Sequence, residues 1–489
     1  MKITDLNPKA LWGHFADICA IPHPSHHEEA IRAFVVDFAK KNGLEHFEDS
    51  AHNVIVRKPA TPGLEGRKGI VLQAHLDMVP QANSDRNFDF TKDSIEPRIE
   101  GSGPDAKVKA NGTTLGADNG IGVAAMLAIL ESGELKHGPL EALFTATEET
   151  GMEGAFGLKA GELNGEILIN LDSERGNELC VGCAGGTDAN MQMPYKAEPA
   201  PAGYKAVVLE VKGLKGGHSG IEIIMQRANA NKLLARTLRP HVAGGVALLA
   251  GVDGGGLRNA IPREARAVVL VKPDYLAKFE AAVAEMEAKF VKEFQDIEDG
   301  LSVKAVAAPE YPHEIIPAEV AKKLIDLVCI VPDGVVKMST SMPGLVQTST
   351  NFARIVSDGK VVKMLALMRS SLRSEKESVG ERMVALCELV GAKCELTGSY
   401  DGWNPNMSSP ILKTMSAGYE RLFGEKPEIT AVHAGLECGI IGGVYPAMDM
   451  ISCGPTIRFP HSPDEEVNIA SVERFWKFLV DALENSPKR

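Results

Sequence analysis

Four short apolar runs in the first 185 residues alternate with segments of helical pattern. Between the second and third runs, an apolar helix pattern begins near Asp118 and ends near Gly133. Alternation of this kind is typical of an α/β fold built around a largely parallel sheet. The runs are NVIVR (53–57), GIVLQAHLD (69–77), EALFTAT (141–147) and EILINLD (166–172).

The chain has 489 residues, more than one hydrophobic core usually organises, so we expect two domains. A Pro/Ala/Gly stretch near residue 196 precedes a new strand pattern, and turn-forming residues cluster again at 398–406. We predict a discontinuous catalytic domain, residues 1–186 and 399–489, interrupted by an inserted lid domain, residues 187–398. The two halves of the insert each show strands and two helices, which is the pattern of a duplicated α+β module.

The C-terminal segment predicts a closing amphipathic helix. Its pattern places Val472, Phe475, Trp476, Leu479 and Leu483 on one apolar face.

Charge and composition exclude several functional classes. The net charge of -13, without a concentrated Lys/Arg stripe, argues against nucleic-acid binding. The N-terminal segment lacks the apolar core of a signal peptide, and no apolar run approaches the roughly 18 residues that span a bilayer. We therefore expect a cytoplasmic protein without a membrane partner.

Eight cysteines are too few for a disulfide scaffold in a chain of this length, so we expect reduced thiols. Cys180 and Cys183 form a short C-x-x-C pair, but no second pair lies nearby. We assign no function to them.

Acidic and imidazole side chains follow the predicted strands where these strands end. His75 and Asp77 end the second run, Glu148 and Glu149 follow the third, and Asp172 ends the fourth. In open α/β sheets, ligands bind beyond the carboxyl ends of the strands. Taken singly, each residue also has a structural explanation as a turn cap or part of a solvated loop.

Two further residues fit the same edge of the sheet. Asp118 lies between glycines at the start of the apolar helix, where an N-cap is the usual role of Asp. His461 lies in a proline-flanked loop after the last predicted strand, where a lone histidine would be unremarkable. The combination of all these residues at one edge indicates a metal site.

Seven motifs occur in family order across almost the whole chain. They are AHLDMVP, GADNGIG, TEETGMEGA, NLDSE, KGGHSG, HAGLECG and PHSPDE. In these motifs the sequence resembles the superfamily of zinc aminoacylases, carboxypeptidases and dipeptidases, and within it the branch of cytosolic nonspecific dipeptidases.

The resemblance implies two zinc ions bridged by Asp118. His75 and Asp172 would complete one zinc site, and Glu149 and His461 the other. Three carboxylates and one bound hydroxide would balance the charge of two divalent ions. Nitrogen and oxygen ligands suit zinc, and cobalt or manganese could substitute.

The resemblance also implies catalytic roles. Glu148 would be the general base that takes a proton from the metal-bridging water and delivers it to the leaving amine. Asp77 would orient His75. His218, in KGGHSG, would stabilise the scissile carbonyl oxygen as it becomes negative, and Asn259 is a second candidate in that region.

Candidate substrate-binding residues lie further along the chain. Arg369 could bind the free C-terminal carboxylate of a dipeptide in a bidentate fork, although a solvated strand-end arginine is the alternative. The backbone at Gly435 could also approach the substrate. The family usually has a small residue where His26 or His27 stands. The three histidines of this segment could form an extra metal site, but we interpret them as a polar helix start.

The sequence therefore predicts a zinc dipeptidase that hydrolyses unblocked dipeptides, including Xaa-His, and the resemblance implies a homodimer. One alternative is an aminoacylase or carboxypeptidase that acts on other small amides. Another is a non-catalytic binding protein with the same fold.

Overall fold

A computed structural model describes residues 2–489, which form two compact units. The first unit comprises the chain up to Cys183 together with Trp403–Ala431 and Leu436–Arg489, and the second comprises Ala184–Gly402 and Val432–Gly435. The predicted domain boundaries at 186 and 398 lie three and four residues from 183 and 402. The short segment 432–435, which the sequence analysis assigned to the catalytic domain, belongs to the second unit.

The strands are numbered in chain order. Those before residue 184 are β1 (Glu45–Glu48), β2 (Val54–Lys58), β3 (Ile70–His75), β4 (Arg98–Glu100), β5 (Lys107–Lys109), β6 (Leu140–Thr145), β7 (Ile167–Asn170) and β8 (Glu178–Cys183). Those from 185 to 400 are β9 (Gly185–Pro194), β10 (Glu198–Pro199), β11 (Lys205–Lys212), β12 (Ala247–Gly255), β13 (Ala265–Val271), β14 (Ser302–Ala307), β15 (Glu314–Ile315), β16 (Gly334–Met338), β17 (Val346–Ser357), β18 (Val361–Ser370) and β19 (Lys393–Tyr400). The remaining strands are β20 (Glu428–Val432), β21 (Asp449–Ser452), β22 (Ile457–Arg458) and β23 (Glu466–Asn468).

The α-helices are numbered in the same way. They are α1 (Lys9–Cys19), α2 (Glu29–Lys41), α3 (Ala117–Glu131), α4 (Glu153–Gly157), α5 (Ala230–Ala243), α6 (Leu276–Glu293), α7 (Ala318–Ile330), α8 (Arg373–Val390), α9 (Pro410–Phe423), α10 (Glu437–Val444) and α11 (Ile469–Glu484). Short 3-10 helices occur at Ile3–Asp5, Gly103–Asp105, Ile223–Met225 and Pro273–Tyr275.

The first unit is built on an eight-stranded sheet of order β1-β2-β6-β3-β7-β21-β8-β20. Its centre is parallel, because β3 pairs with β6 and β7, and β7 pairs with β21, in the same direction. The pairs β1–β2, β2–β6 and β21–β8 are antiparallel. The predicted α/β fold is thus confirmed, and the parallel strands β3, β6 and β7 all end at one edge of the sheet.

Helix α3 is apolar on all sides, and every residue from 119 to 130 is buried. A helix without a polar face can only be stable when other elements cover it. It lies between α1 and strand β3 of the first unit. Its N-terminus therefore lies in the interior, at the edge where the parallel strands end.

Helix α11 differs from its predicted face at one position. Val472, Phe475, Leu479 and Leu483 are buried as predicted, but Trp476 is only partly buried and Phe478 packs in the core instead.

The second unit contains a nine-stranded antiparallel sheet of order β14-β11-β13-β12-β17-β18-β9-β19, with β16 paired to β17. Burial alternates along β11, so one face of the sheet carries the core. Apolar side chains of α5, α6, α7 and α8 pack with the strands in this core. They include Phe279, Val283 and Phe290 of the predicted helix α6.

The two halves of this sheet have the same strand order when each is followed from its outer edge to the middle. One half runs β14-β11-β13-β12 from the outside to the middle, and the other runs β19-β9-β18-β17. Each half is therefore a β-α-β-β-α-β module, and the modules meet where β12 pairs with β17. The first strand of the second module, β9, precedes the whole first module in the chain. This topology supports the predicted duplication, although the two modules are not consecutive halves of the insert.

No helix within residues 2–489 is long and apolar enough to cross a membrane.

Candidate metal centre and substrate residues

Strand β3 delivers His75 to the edge of the parallel sheet, where its imidazole is 1% exposed. The His75 Nε2 atom lies 3.2 Å from Asp118 Oδ1 and 3.4 Å from Asp172 Oδ1. Asp118 enters from the N-terminus of α3, and Asp172 follows β7. These three side chains form the first ligand group.

A second ligand group forms around His461. Its Nε2 atom lies 3.0 Å from Glu149 Oε2 and 3.3 Å from Asp118 Oδ2. The His461 backbone has a φ of +59°, in the left-handed region that non-glycine residues seldom adopt. The two oxygens of Asp118 thus face one histidine each.

The donor set fits two cations. Within each group, the potential ligand atoms lie within 4.8 Å of one another, and Asp118 belongs to both groups. The Oε1 atom of Glu149 is buried without a hydrogen-bond partner. Two imidazoles and three carboxylates are donors that divalent transition metals accept, and a bridging carboxylate can serve two ions.

The electrostatics of the centre show an excess of negative charge. Burial and the neighbouring Asp118 raise the pKa of Asp172 to about 6. Burial opposes protonation of His75, but the carboxylates of Asp172, Asp118 and Asp77 raise its pKa well above the ordinary value. Asp118 and Glu149 raise the pKa of His461 to about 11. A cluster that favours positive charge in this way fits cation binding.

Asp118 does not cap its helix, which was the structural alternative for this residue. The cap comes from Glu465, a buried residue far along the chain that sequence reasoning missed. Its carboxylate accepts the backbone N–H groups of residues 115–118, at 2.7 to 3.2 Å. The Asp118 side chain is thereby left to face the two histidines.

Asn119 was also missed by the sequence analysis. Its Nδ2 donates a hydrogen bond to Asp172 Oδ1. The side chain folds over Gly122, where an added Cβ would lie 2.0 Å from Asn119 Oδ1. The third glycine of the GADNGIG motif, Gly122, therefore makes room for this contact.

Asp77 contacts both His75 and the loop after β6. His75 Nδ1 lies 3.0 Å from the Asp77 backbone carbonyl and 3.4 Å from its Oδ1. The same carboxylate accepts the backbone N–H groups of Glu148, at 2.9 Å, and Glu149, at 3.2 Å. The predicted orienting role is compatible with this geometry, and Asp77 also holds the loop that carries two candidate site residues.

The Glu148 carboxyl group is largely buried beside the ligand cluster. Its pKa is raised well above the ordinary value, first by burial and then by the negative charges of Asp172, Glu437 and Glu149, with His75 acting in the opposite direction. Glu148 belongs to one possible ligand group with His75 and Glu149, so it lies within reach of the metal centre.

Beneath the ligands, polar side chains connect the strand ends in a buried row. Glu437 Oε2 accepts hydrogen bonds from Gln73 Nε2, at 2.5 Å, and Thr145 Oγ1, at 3.0 Å. Gln73 Oε1 accepts from Asn170, whose Oδ1 accepts from Ser452. Burial raises the pKa of Glu437 to about 7. The sequence signal for this row was a polar residue in an otherwise apolar strand, namely Gln73 in β3 and Asn170 in β7.

His218 lies in the second unit and is held as a neutral donor. Its Nδ1 accepts the backbone N–H groups of Gly220, at 3.1 Å, and Ile221, at 3.2 Å. The proton of the neutral ring is therefore on Nε2. Burial and then the charge of Arg369 lower the pKa of His218.

Arg369, also in the second unit, is 6% exposed. Its Nη1 lies 3.4 Å from the hydroxyl of Tyr400, and its Nε is buried without a hydrogen-bond partner. Arg369 is therefore not the solvated strand-end residue of the alternative interpretation. A buried guanidinium with a free donor fits an anionic ligand. Gly435 lies beside the same tyrosine, since an added Cβ would be 2.8 Å from the Tyr400 hydroxyl.

Asn259 and the N-terminal histidines lie outside these clusters. Asn259 is exposed in the second unit, and its backbone carbonyl accepts the N–H of Ser219, next to His218. His26 is exposed, with Nε2 3.1 Å from Thr150 Oγ1, and His27 precedes helix α2. Neither histidine joins a group that could hold a metal ion within residues 2–489.

Comparison with known proteins assigns the chain to a family. Imidazole and carboxylate donors grouped at the carboxyl ends of parallel strands are typical of a metal-binding α/β protein. The sequence pattern of peptidase family M20/M25/M40 matches residues 71–485, a span that includes every candidate site residue. The chain belongs to this family.

Two relatives match over the full length. The chain is 44% identical over 488 residues to the cytosol non-specific dipeptidase of Escherichia coli (strain K12), with 100% of both chains covered. The crystal structure of aminoacylhistidine dipeptidase from Vibrio alginolyticus superposes with a TM-score of 0.94 at 44% identity and covers 100% of this chain and 99% of that one. A tripeptidase from Staphylococcus aureus, at 15% identity and a TM-score of 0.58 over 98% of both chains, shares the fold.

Proposed function

We propose that the protein is a two-zinc dipeptidase that hydrolyses unblocked dipeptides, including those with a C-terminal histidine. The observation that carries the proposal is the convergence of two ligand groups on the shared carboxylate of Asp118, with Glu148 beside them. Membership of a peptidase family makes the chain a hydrolase. The names of the two full-length relatives support the dipeptide substrate.

His75, Asp118 and Asp172 would hold one metal ion, and Asp118, Glu149 and His461 the other. When bound, two such ions polarise the scissile carbonyl and lower the pKa of a water molecule at the site. Zinc is proposed from the donor set, with cobalt or manganese as substitutes.

Proton transfer is assigned to Glu148. Its carboxylate accepts the proton that the attacking water loses and donates it to the amine that leaves. Asp77 supports this role because it accepts the backbone N–H of Glu148 and lies against the His75 ring.

The family resemblance supports roles for His218 and Arg369 in binding the rest of the substrate. His218 donates from Nε2 to the scissile carbonyl oxygen as negative charge develops, and a donor of this kind can contribute about 3 kcal/mol. Arg369 binds the C-terminal carboxylate, which its buried and partly unpartnered guanidinium supports. Asn259 and the backbone at Gly435 remain weaker candidates for substrate contacts.

The name of the Escherichia coli relative supports action in the cytoplasm. We also propose a homodimer, from family resemblance alone. Sedimentation velocity of the purified chain tests this point, since a species of one chain's mass across micromolar concentrations would contradict it.

Hydrolysis of a matched panel tests the proposed activity. The zinc-loaded chain should cleave Ala-His with a kcat/KM at least about 10-fold above that for N-acetyl-Ala-His or a tripeptide. A substrate whose charged end is blocked or displaced leaves the polar groups that bind this end without a partner, and this is costly in a buried site. Chelation should abolish the activity and zinc should restore it. The variant Glu148→Gln should lose at least about 10²-fold in kcat and retain its zinc. The matched control is Glu166→Gln, which lies on the surface beside Arg489.

The panel also separates the alternatives. Preference for the acetylated or longer substrate would favour an aminoacylase or carboxypeptidase. No cleavage by protein that carries two metal ions per chain would favour a non-catalytic binding protein.

A further inference from the structure

The loop after β6 is held by side chains that come from three other parts of the first unit. Residues 146–149 have four consecutive backbone N–H groups, and each donates to a side-chain oxygen. The acceptors are Asn53 for the first, at 3.2 Å, Glu28 for the second, at 3.1 Å, and Asp77 for the third and fourth, at 2.9 and 3.2 Å. Glu148 and Glu149 are therefore placed by a template of side chains.

Thr147 is the strained position in this loop. Its φ is +51°, in the left-handed region that a β-branched residue rarely adopts. Such a conformation persists only when the surrounding structure holds it. Glu28 supplies two of the bonds that do so, since its Oε1 accepts both the N–H of Thr147 and its hydroxyl, the latter at 2.7 Å. Glu28 is itself 2% exposed.

The turn before helix α2 contacts the same region at two further points. Ser25 donates its hydroxyl to Asp77 Oδ2, at 2.7 Å. His26 Nε2 lies 3.1 Å from Thr150 Oγ1, at the far end of the loop. This turn therefore contacts the loop directly and through Asp77.

We propose that Glu28 is a positioning residue for catalysis: it holds Thr147 in the left-handed conformation and thereby sets the position of the Glu148 carboxylate. The inference rests on the proposed role of Glu148 as general base. It also accounts for a buried carboxylate that the proposed reaction does not otherwise use.

The expected consequence is specific to the chemical step. Without Glu28, Thr147 relaxes towards negative φ, which rotates the next peptide unit and displaces Glu148. A misplacement of about 1 Å can cost about 10²-fold in rate. The bond from the Glu148 N–H to Asp77 lengthens in this movement. Glu149 is one residue further from Thr147 and keeps its own bond to Asp77, so metal binding should persist.

A four-variant cycle tests the proposal: Glu28→Ala, Thr147→Gly, the double variant and Glu28→Gln. We expect Glu28→Ala to lower kcat by about 10²-fold, with KM and zinc content within about threefold of wild type. The double variant should recover at least about 10-fold of this loss, because glycine adopts positive φ without penalty. Glu28→Gln keeps an acceptor oxygen and should stay within about fivefold of wild type.

Hydrogen exchange of residues 146–150 provides a readout independent of activity. Exchange should accelerate in Glu28→Ala and not in the control Glu298→Ala. Glu298 is a buried carboxylate of the second unit that likewise accepts two backbone N–H groups, those of Lys215 and Ala228. If Glu28→Ala does not fold, Glu28→Asp takes its place and is compared with the double variant Glu28→Asp/Thr147→Gly. The aspartate side chain is one methylene group shorter, so its carboxylate should not reach Thr147.

Three outcomes would overturn the proposal: unchanged kcat in Glu28→Ala, an equal loss in the double variant, or unchanged exchange in the loop. An inactive wild-type chain would instead contradict the proposed dipeptidase function. The exchange comparison would still show whether Glu28 holds the loop.

Discussion

At the scale of single residues, neighbouring groups orient the charged and imidazole side chains of the candidate site. Asp118 faces two histidines because Glu465 caps the helix in its place. In the second unit, His218 is held as a neutral Nε2 donor by two backbone N–H groups. The orientation of Asp118 thus depends on a residue distant in the sequence, whereas the protonation of His218 depends on its own loop.

His433 gives a prediction for the pH dependence of stability. It is 5% exposed, with Nε2 2.7 Å from the Ser349 hydroxyl. Burial and then the charge of Arg369 lower its pKa from 6.5 to about 3. Between these values the unfolded chain binds a proton that the folded chain does not, so the contribution of His433 to stability is complete above pH 6.5 and is lost as the pH falls towards 3.

We therefore expect the free energy of unfolding of the wild type to fall more steeply than that of His433→Gln. The additional loss should approach about 1.4 kcal/mol per pH unit between pH 6 and pH 4. Urea denaturation of both proteins at several pH values measures this difference, and the carboxylates that titrate in the same range cancel in the comparison. Parallel curves would contradict the prediction.

At the scale of secondary structure elements, the site depends on three parallel strands that end at one edge and on a helix that begins there. The apolar sequence of α3 requires it to be covered on all sides, so its N-terminus is delivered to the interior. The GADNGIG motif then needs space for Asn119 above Gly122. The glycine therefore affects the metal centre through Asn119 and Asp172.

Substitution of Gly122 tests this connection. In Gly122→Ala, the new Cβ would lie 2.0 Å from Asn119 Oδ1, so the Asn119 side chain must move and release Asp172. Loss of a partner behind a metal ligand typically weakens metal binding by about 10- to 100-fold, and we expect a change in this range. Competition with a zinc-binding dye measures the affinity. Gly133→Ala, where a Cβ would meet nothing within 4 Å, should bind zinc as the wild type does.

At the scale of the whole molecule, the chain divides into two units, and only the first contains the candidate metal ligands. The first unit buries several carboxylates at one edge of its sheet, and burial together with the charge of Asp118 raises the pKa of Asp172 to about 6. The second unit has an antiparallel sheet of two related modules with its own core. Removal of metal should therefore destabilise the first unit selectively.

We expect chelation to lower the melting temperature of the protein and zinc to restore it. Zinc at about 100 times its dissociation constant would stabilise the folded state by about 2.7 kcal/mol per site. Scanning calorimetry with and without chelator measures the shift, and His461→Asn should reduce it because one ligand group is incomplete. A melting temperature that changes with neither chelator nor zinc would show that the cluster does not bind metal in the folded state.

Much of the fold and the candidate site could be predicted from the sequence, because both depend on local patterns. Apolar runs identified the parallel strands, and motifs identified the residues that follow them. The five residues predicted as ligands, His75, Asp118, Glu149, Asp172 and His461, lie in two groups that share Asp118.

The supporting residues could not be predicted, because they act across long separations. Glu465 caps a helix about 350 positions away, as its bond to Leu115 shows, and Glu28 holds a threonine 119 positions away. No periodicity or motif connects such pairs. Their identity depends on which backbone N–H groups are left without partners when the chain is packed, and burial makes an unpaired donor costly.

The sequence by itself determined the fold class and the position of acidic and imidazole residues at strand ends, since strand periodicity and strand ends are local properties. The choice of metal ligands among these residues came from the family resemblance and stays a prediction. Only the tertiary structure decided that β9 belongs to the second module although the whole first module separates it from the rest of that module in the chain. It also placed segment 432–435 in the second unit. The contacts of Glu28 with Thr147, Asn119 with Asp172 and Glu465 with the start of α3 likewise depend on the tertiary structure. Such features arise because pairing and burial bring distant segments together, which a local pattern cannot record.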